Sequence, residues 1–104
     1  MGTQVTYQDA ILAFLNEYSE VKPSNWKGVQ NQIIVDRENQ NYQLVRVGWH
    51  ENQHIHYTVF HFDLVNGKVY VQENRTDIPI LDELEALGIP RKDVFLAFQE
   101  APEA

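Results

Sequence analysis

The run "HYTVFHFDLVNGKVYVQ", residues 56–72, constrains this chain more than any other stretch. Asn66-Gly67 separates two segments in which apolar and polar residues alternate, rich in β-branched and aromatic side chains. Both central residues of a type I′ turn need positive φ, which Asn and Gly adopt readily, so the dipeptide predicts a tight β-hairpin. A two-residue loop then sets the register: Val65 opposite Lys68, Leu64 opposite Val69, Asp63 opposite Tyr70, Phe62 opposite Val71 and His61 opposite Gln72. Opposed residues share one face of a sheet.

The same reasoning extends backwards. If "HENQ" at 50–53 closes the preceding hairpin, Trp49 faces His54, Val47 faces His56, Val45 faces Thr58 and Tyr42 faces His61. One face then carries Val45, Val47, Trp49, Phe60, Phe62, Leu64, Val69 and Val71 as a core, with His54 and His56 toward its Trp49 end. The other face carries Tyr42, Leu44, Ile55, Tyr57, Val59 and Tyr70 among Arg46, His61, Asp63 and Gln72. On this pleat His56 and His61 project from opposite sides; a bulge near Val59-Phe60 would reunite them.

Elsewhere the period changes. Residues 6–21, "TYQDAILAFLNEYSEV", read as an amphipathic helix with Ile11, Leu12, Leu15 and Tyr18 on one face and Phe14 widening it. Thr6 is its expected N-cap, Asp9 suits the positive end of its dipole, and Pro23 marks its exit. "SNWKGVQNQ" reads as a loop into a strand near Gln32 to Asp36. "TDIPILDELEALG" carries the punctuation of a second helix: Thr76 or Asp77 as cap, Pro79 in the first turn and Gly88 just past the end, with Ile80, Leu81, Leu84 and Leu87 inward. "DVFLAFQ" is the expected last strand and "EAPEA" a frayed acidic tail. The order helix, four strands, helix, strand predicts an α+β fold: a mainly antiparallel sheet of about five strands with helices on one face.

At 104 residues the chain, 1–104, is expected to form a single domain. No apolar run approaches the roughly 18 residues that cross a bilayer, and no secretory signal opens the sequence, so no membrane association is expected. Without cysteine there is no disulfide, thiolate nucleophile or cysteine-ligated zinc. A reducing cytoplasm suits such a chain. Net charge is −7, and Lys22, Lys27, Arg37, Arg46, Lys68, Arg75, Arg91 and Lys92 are scattered, with only Arg91 and Lys92 adjacent. Duplex binding calls for a basic patch, so no direct nucleic-acid binding is expected.

Catalytic constellations do not emerge. There is no nucleophile-base-orienter arrangement and no glycine-rich phosphate loop. Asp36-Arg37-Glu38 reads as a solvated turn, and Asp82, Glu83 and Glu85 as the outer face of the second helix. The pleat leaves two ligand-type residues per face, so no metal or cofactor is assigned. His54 reads as an exposed strand end and His56 as a core-edge histidine bonded to backbone or to Trp49. His61 with Asp63 is either a polar cross-strand pair or a ligand or partner contact. Tyr42, Arg46, His61, Asp63, Tyr70 and Gln72 are therefore the ligand- or partner-binding candidates. Aromatics mixed with one arginine and few lysines have the composition of a protein interface, so this face is expected to meet another chain, as in a homodimer.

The stretches "DRE", "GW", "HYTVFHFDLVNGKVYVQ" and "LGIPRKDVFLAF", in this order and spacing, resemble the fdxN-element excision controlling factor family of XisI-like proteins. The resemblance runs from the first helix to about Phe98. Its strongest part falls on His56, His61, Asp63, Gly67, Lys68, Tyr70 and Gln72, followed by Thr76; a second part falls on Gly88, Ile89, Pro90, Asp93 and Phe98. It implies a small, largely cyanobacterial α+β protein that assists a site-specific recombinase excising a DNA element during heterocyst differentiation. It also implies an XisH-like, nuclease-fold partner, and no established catalytic mechanism for this half of the pair. The family usually continues with a Pro-Glu-Val-Arg and Tyr-Thr-Asp-Phe-like tail, whereas this sequence ends "QEAPEA". The leading expectation is a non-catalytic accessory factor working by protein contact. The alternative is a metal- or small-ligand-binding domain on the outer sheet face around His61 and Asp63.

Overall fold

The fold is that of a computed structural model, which describes residues 3–20 and 27–97, with side chains from residue 7 onward. Helix α1 spans Thr3–Tyr18, so Thr6 lies inside it rather than at its cap. Its buried stripe is Tyr7, Ala10, Ile11, Phe14 and Leu15, flanked by Leu12 and Tyr18. The predicted exit at Pro23 lies outside the described residues, as do Phe98 and the tail.

Strands β1 (Val29–Asp36), β2 (Asn41–His50), β3 (Gln53–Val65) and β4 (Lys68–Asn74) form an antiparallel meander, and β1 starts three residues before the predicted Gln32. Helix α2 (Ile80–Ala86) then returns the chain, so that β5 (Val94–Leu96) joins β4 in parallel. Both helices contribute to one core cluster with Phe60, Phe62, Leu64, Val69 and Val71. This is the α+β architecture expected, in strand order β1-β2-β3-β4-β5.

The Asn66-Gly67 turn forms as read, with φ of 52° and 77°. The first four pairs of its hairpin match the predicted register. The β2–β3 hairpin turns at Glu51-Asn52, and Trp49–His54, Val47–His56 and Val45–Thr58 pair as expected. Beyond Thr58 the prediction fails. Leu44 pairs with Phe60, so Val59 is an extra residue in β3, and Tyr42 meets Phe62 while Gln43 meets His61. One unpaired residue reverses which side of the sheet every later side chain takes.

The correction is therefore wholesale on one half of the sheet. Tyr42 and Leu44 are buried in the core and Val59 joins them there. Arg46 is only 8% exposed on the helix side, where its Nε donates to Asn31 Oδ1 at 3.0 Å and its Nη1 to the Tyr57 hydroxyl at 3.2 Å. Asn31 in turn donates to the Ser19 carbonyl at the end of α1, at 2.8 Å. Arg46 thus ties three strands to a helix and is no outer-face candidate. Conversely Val45, Val47, Trp49, His54 and His56 leave the predicted core side and share the outer face with His61 and Asp63, although Val45 is buried there as expected. A second bulge sets His61 opposite Glu73 rather than Gln72.

Helix α2 starts at Pro79 without a side-chain cap. Thr76 instead closes a turn around Asn74: its hydroxyl donates to Asn74 Oδ1 at 2.6 Å and accepts from the Ile78 amide at 3.1 Å. The other end follows the sequence. Gly88 (φ 103°) donates to Glu85 O and Ile89 to Leu84 O, the paired bonds of a Schellman motif whose apolar contact is Leu84 with Ile89. Leu87, expected inward, is 37% exposed because it sits where the helix ends.

Two contacts hold the margins. Gly48 (φ 148°) lies so close to β1 that an added Cβ would sit 2.1 Å from the Gly28 carbonyl oxygen, and the Trp49 amide donates to that carbonyl at 3.0 Å. At the other edge the buried Tyr7 hydroxyl donates to Asp93, whose second oxygen meets Lys68 Nζ at 3.5 Å. Burial first, then this bond and the adjacent negative charge, pushes the Tyr7 phenol from 10.0 up to about 12. The bond from Tyr7 is the largest of the influences that together hold Asp93 below 3.8.

Gly48→Ala combines backbone overlap with a disfavoured φ and is expected to cost about 1–3 kcal/mol, read from the urea midpoint. For the Tyr7–Asp93 pair the pH signs are opposite. The depressed Asp93 value stabilises above pH 3.8, a gain lost as pH falls through its folded pKa; the raised Tyr7 value stabilises below pH 10.0 and is lost as pH rises toward about 12. Tyr7→Phe should therefore flatten both limbs of the stability–pH curve in denaturation series run below pH 4 and above pH 10.

Candidate functional site

With both helices on one side, the opposite face of the sheet is uncovered by any described element. Strand alternation places on it Gln32 and Ile34 from β1, Asn41, Gln43, Val45, Val47 and Trp49 from β2, and His54, His56, Thr58, His61, Asp63 and Val65 from β3. Tyr70 and Gln72 of β4 and Phe95 of β5 complete it. Among the described residues, four of the five large apolar side chains with substantial exposure are here: Trp49 at 58%, Val65 at 45%, Ile34 at 44% and Phe95 at 40%. They come from four different strands, so the apolar exposure spans the face.

A polar network crosses its middle. Gln43 Nε2 donates to Asn41 Oδ1 at 2.9 Å, which fixes the orientation of the Asn41 amide. Asn41 Nδ2 then lies 2.9 Å from Asp63 Oδ1 and 2.8 Å from His61 Nε2. An NH₂ group carries a hydrogen for each, so the Asn41 amide joins the carboxylate and the imidazole in one network. Gln72 Nε2 donates to the other Asp63 oxygen at 3.1 Å. Both Asp63 oxygens are thus occupied by side-chain amides, and His61 Nε2 approaches Asp63 Oδ1 only at 3.3 Å.

Of the six predicted candidates, His61, Asp63 and Gln72 are joined directly in this network. Tyr70 lies beside it, opposite Asp63, with its ring stacked on Phe95 at 5.1 Å. Tyr42 and Arg46 are not brought there. Tyr42 is core, and burial raises its phenol above the usual value against the pull of Arg37. Asn41, Gln43 and Phe95 were missed. The adjacent apolar pairs Leu44-Val45 and Val59-Phe60, which interrupt strict alternation, were the available sign of the bulge that gathers the first two.

The other motif residues divide by role. His56 is exposed rather than at the core edge, and lies with its ring 6.4 Å from that of His54, which itself contacts Trp49 at 5.0 Å. Gly67 makes the turn, Lys68 reaches Asp93, Thr76 closes the Asn74 turn, Gly88 ends α2, and Pro90 precedes the 3₁₀ turn Arg91–Asp93. These shape the chain. Among the described residues, no three His, Asp or Glu side chains are grouped to hold a metal ion, although the bulge returns His56 and His61 to one face. Nor does any described helix have the length and apolar character to cross a membrane. What the outer face offers is apolar area around a hydrogen-bonded amide–carboxylate–imidazole network.

The comparisons bear on this assembly. The model of the family described as "XisI protein" matches residues 1–103. A crystal structure of a XisI-like protein from Anabaena variabilis superposes with a TM-score of 0.85 at 36% identity, covering 93% of this chain and 88% of that one. The fdxN element excision controlling factor XisI from Anabaena variabilis shares the fold at 24% identity, with a TM-score of 0.78 over 95% of this chain and 89% of the other. No curated protein matches. On a family match spanning almost every residue, the chain belongs to the XisI family.

Proposed function

We propose that this chain is a non-catalytic accessory factor that works by protein contact, in the manner implied by a relative named as an fdxN element excision controlling factor. Its role on this reading is to assist site-specific excision of a DNA element of the kind removed in cyanobacterial heterocyst differentiation. The partners that reading calls for are an XisH-like nuclease-fold protein or the recombinase itself. One observation carries it: a sheet face that no described element covers and that bears four exposed large apolar side chains. Apolar and aromatic side chains interspersed with amides, with formal charge sparse, give this face the composition of a protein contact surface. The net charge of −7 supports contact with protein over contact with phosphate backbone.

The ligand-binding alternative draws on the His61–Asp63 network. It is the weaker reading, because both Asp63 oxygens already accept hydrogen bonds from Asn41 and Gln72. Zinc, nickel or magnesium ions should leave the melting temperature unchanged; a rise of several degrees would restore that alternative.

Co-purification decides the main reading. The tagged chain, expressed with the product of its neighbouring gene and with the recombinase, is expected to retain at least one of them through a salt wash. On a reporter plasmid carrying the element, junction excision by the recombinase should rise when the chain is present. A chain that retains neither protein and leaves excision unchanged would defeat the proposal.

A further inference from the structure

Resting on the reading that the outer face is a protein contact surface, we propose that its occupant is a second copy of this chain. The two sheets would pack face to face in a symmetric, four-layer dimer.

Size is the first argument. Five strands about 4.8 Å apart and about eight residues long at about 3.3 Å each make a face of roughly 24 by 26 Å. That is on the order of 600 Å² before side-chain relief is added, close to the ~800 Å² per partner of a standard stable interface. A face of this size fits a whole domain better than a peptide.

Charge supplies the second and selects the occupant. Against −7 overall, this face keeps Asp36 and Lys68 at its rim, the first in its turn and the second engaged with Asp93. Within it Asp63 and Glu73 are acidic; the Asp63 oxygens are taken up by neighbouring amides, and Glu73, opposite His61, is paired with Arg75. A basic partner would find little to recognise here. It would turn to α2, whose exposed Asp82, Glu83 and Glu85 outnumber the one Arg91 that pairs with Asp82 and Glu85. Two like-charged copies, in contrast, can meet only where charge is sparse. Sheets pack ~10 Å apart, so the helices of a face-to-face dimer lie on its two outsides. Their acidic surfaces are then separated by more than the ~8 Å over which charges act at physiological salt.

Chemistry is the third. The exposed apolar groups, Ile34, Trp49, Val65 and Phe95, are distributed over four strands rather than gathered in one groove. A broad, mixed surface of this kind is suited to isologous contact, in which the same patch serves both sides. A nuclease-fold partner or recombinase would then engage the assembled dimer through its outer layers.

Sedimentation equilibrium on the full chain at about 10–100 µM tests this. Wild type should behave as a dimer. Trp49→Glu and Phe95→Glu alter side chains that are 58% and 40% exposed, so both should keep the wild-type circular dichroism. Each should weaken self-association at least ~30-fold, the effect of losing one interface hot spot. Leu87→Glu changes the fifth exposed apolar side chain, on the helix side, and should remain dimeric. A monomeric wild type, or dissociation by Leu87→Glu with none by the sheet-face variants, overturns the proposal. Capture of the nuclease-fold partner separates the two readings in that event. If the monomer's capture is lost in Trp49→Glu, the face still serves as a contact surface and only the second copy is wrong. If capture persists in Trp49→Glu, the contact-surface reading falls with it.

Discussion

The extra residue at Val59 governs this structure. Strand β3 pairs with β2 below it and, beyond the second bulge, with β4 above it, so a single insertion decides which side chains point at the helices. With Val59 unpaired, Tyr42, Leu44, Phe60 and Phe62 align on the inner side and are wholly or almost wholly buried. Without it, Tyr42 would face outward and the core would lose a large aromatic. Burying a side chain of this size contributes about 1.5–3 kcal/mol, so the bulged register is strongly preferred. The cost is one position without a partner in the β2–β3 ladder, offset in part by the Val59 carbonyl accepting from the Arg75 amide.

From that register follows the division of labour between the two faces. The inner side carries the aromatic contacts of Phe14, Tyr18, Phe60 and Phe62, with ring centroids 4.9–6.3 Å apart, and one buried arginine held by Asn31 and Tyr57. Arg46 binds elements together there rather than reading a partner. The outer side collects amides, imidazoles and scattered apolar groups, among which Asn41, Gln43, His61, Asp63 and Gln72 are joined by hydrogen bonds. Polar groups that already hold hydrogen bonds give up less on losing water than unpaired ones.

The family signature takes on a physical sense in this light. Gly67 and Gly88 stand where φ is positive, Lys68 and Asp93 link the β4 edge to α1 through Tyr7, and Thr76 closes the turn that aims α2 across the sheet. Among its described residues, His56, His61, Asp63, Tyr70 and Gln72 present chemistry to the outside, on the face that no described element covers. Residues that shape the chain outnumber those that could meet a partner.

Elements with local causes were legible from the sequence alone. Asn66-Gly67 dictated a hairpin because few dipeptides adopt its backbone, Gly88 ended a helix for the same reason, and apolar stripes at 3.6 and 2 residues separated helices from strands. The alternation of Phe60, Phe62, Leu64, Val69 and Val71 marked the core correctly, since those residues lie on the turn side of the Val59 bulge and their parity is counted from Asn66-Gly67. Tertiary structure alone decided the rest. The inner or outer place of Tyr42, Arg46, Trp49, His54 and His56 depends on a bulge that trades one backbone pairing for better packing against α1; the doublets Leu44-Val45 and Val59-Phe60 mark where it can sit, and packing decides that it forms. Alternation specifies that neighbours point apart; only the assembled core specifies which of the two sides becomes the inside.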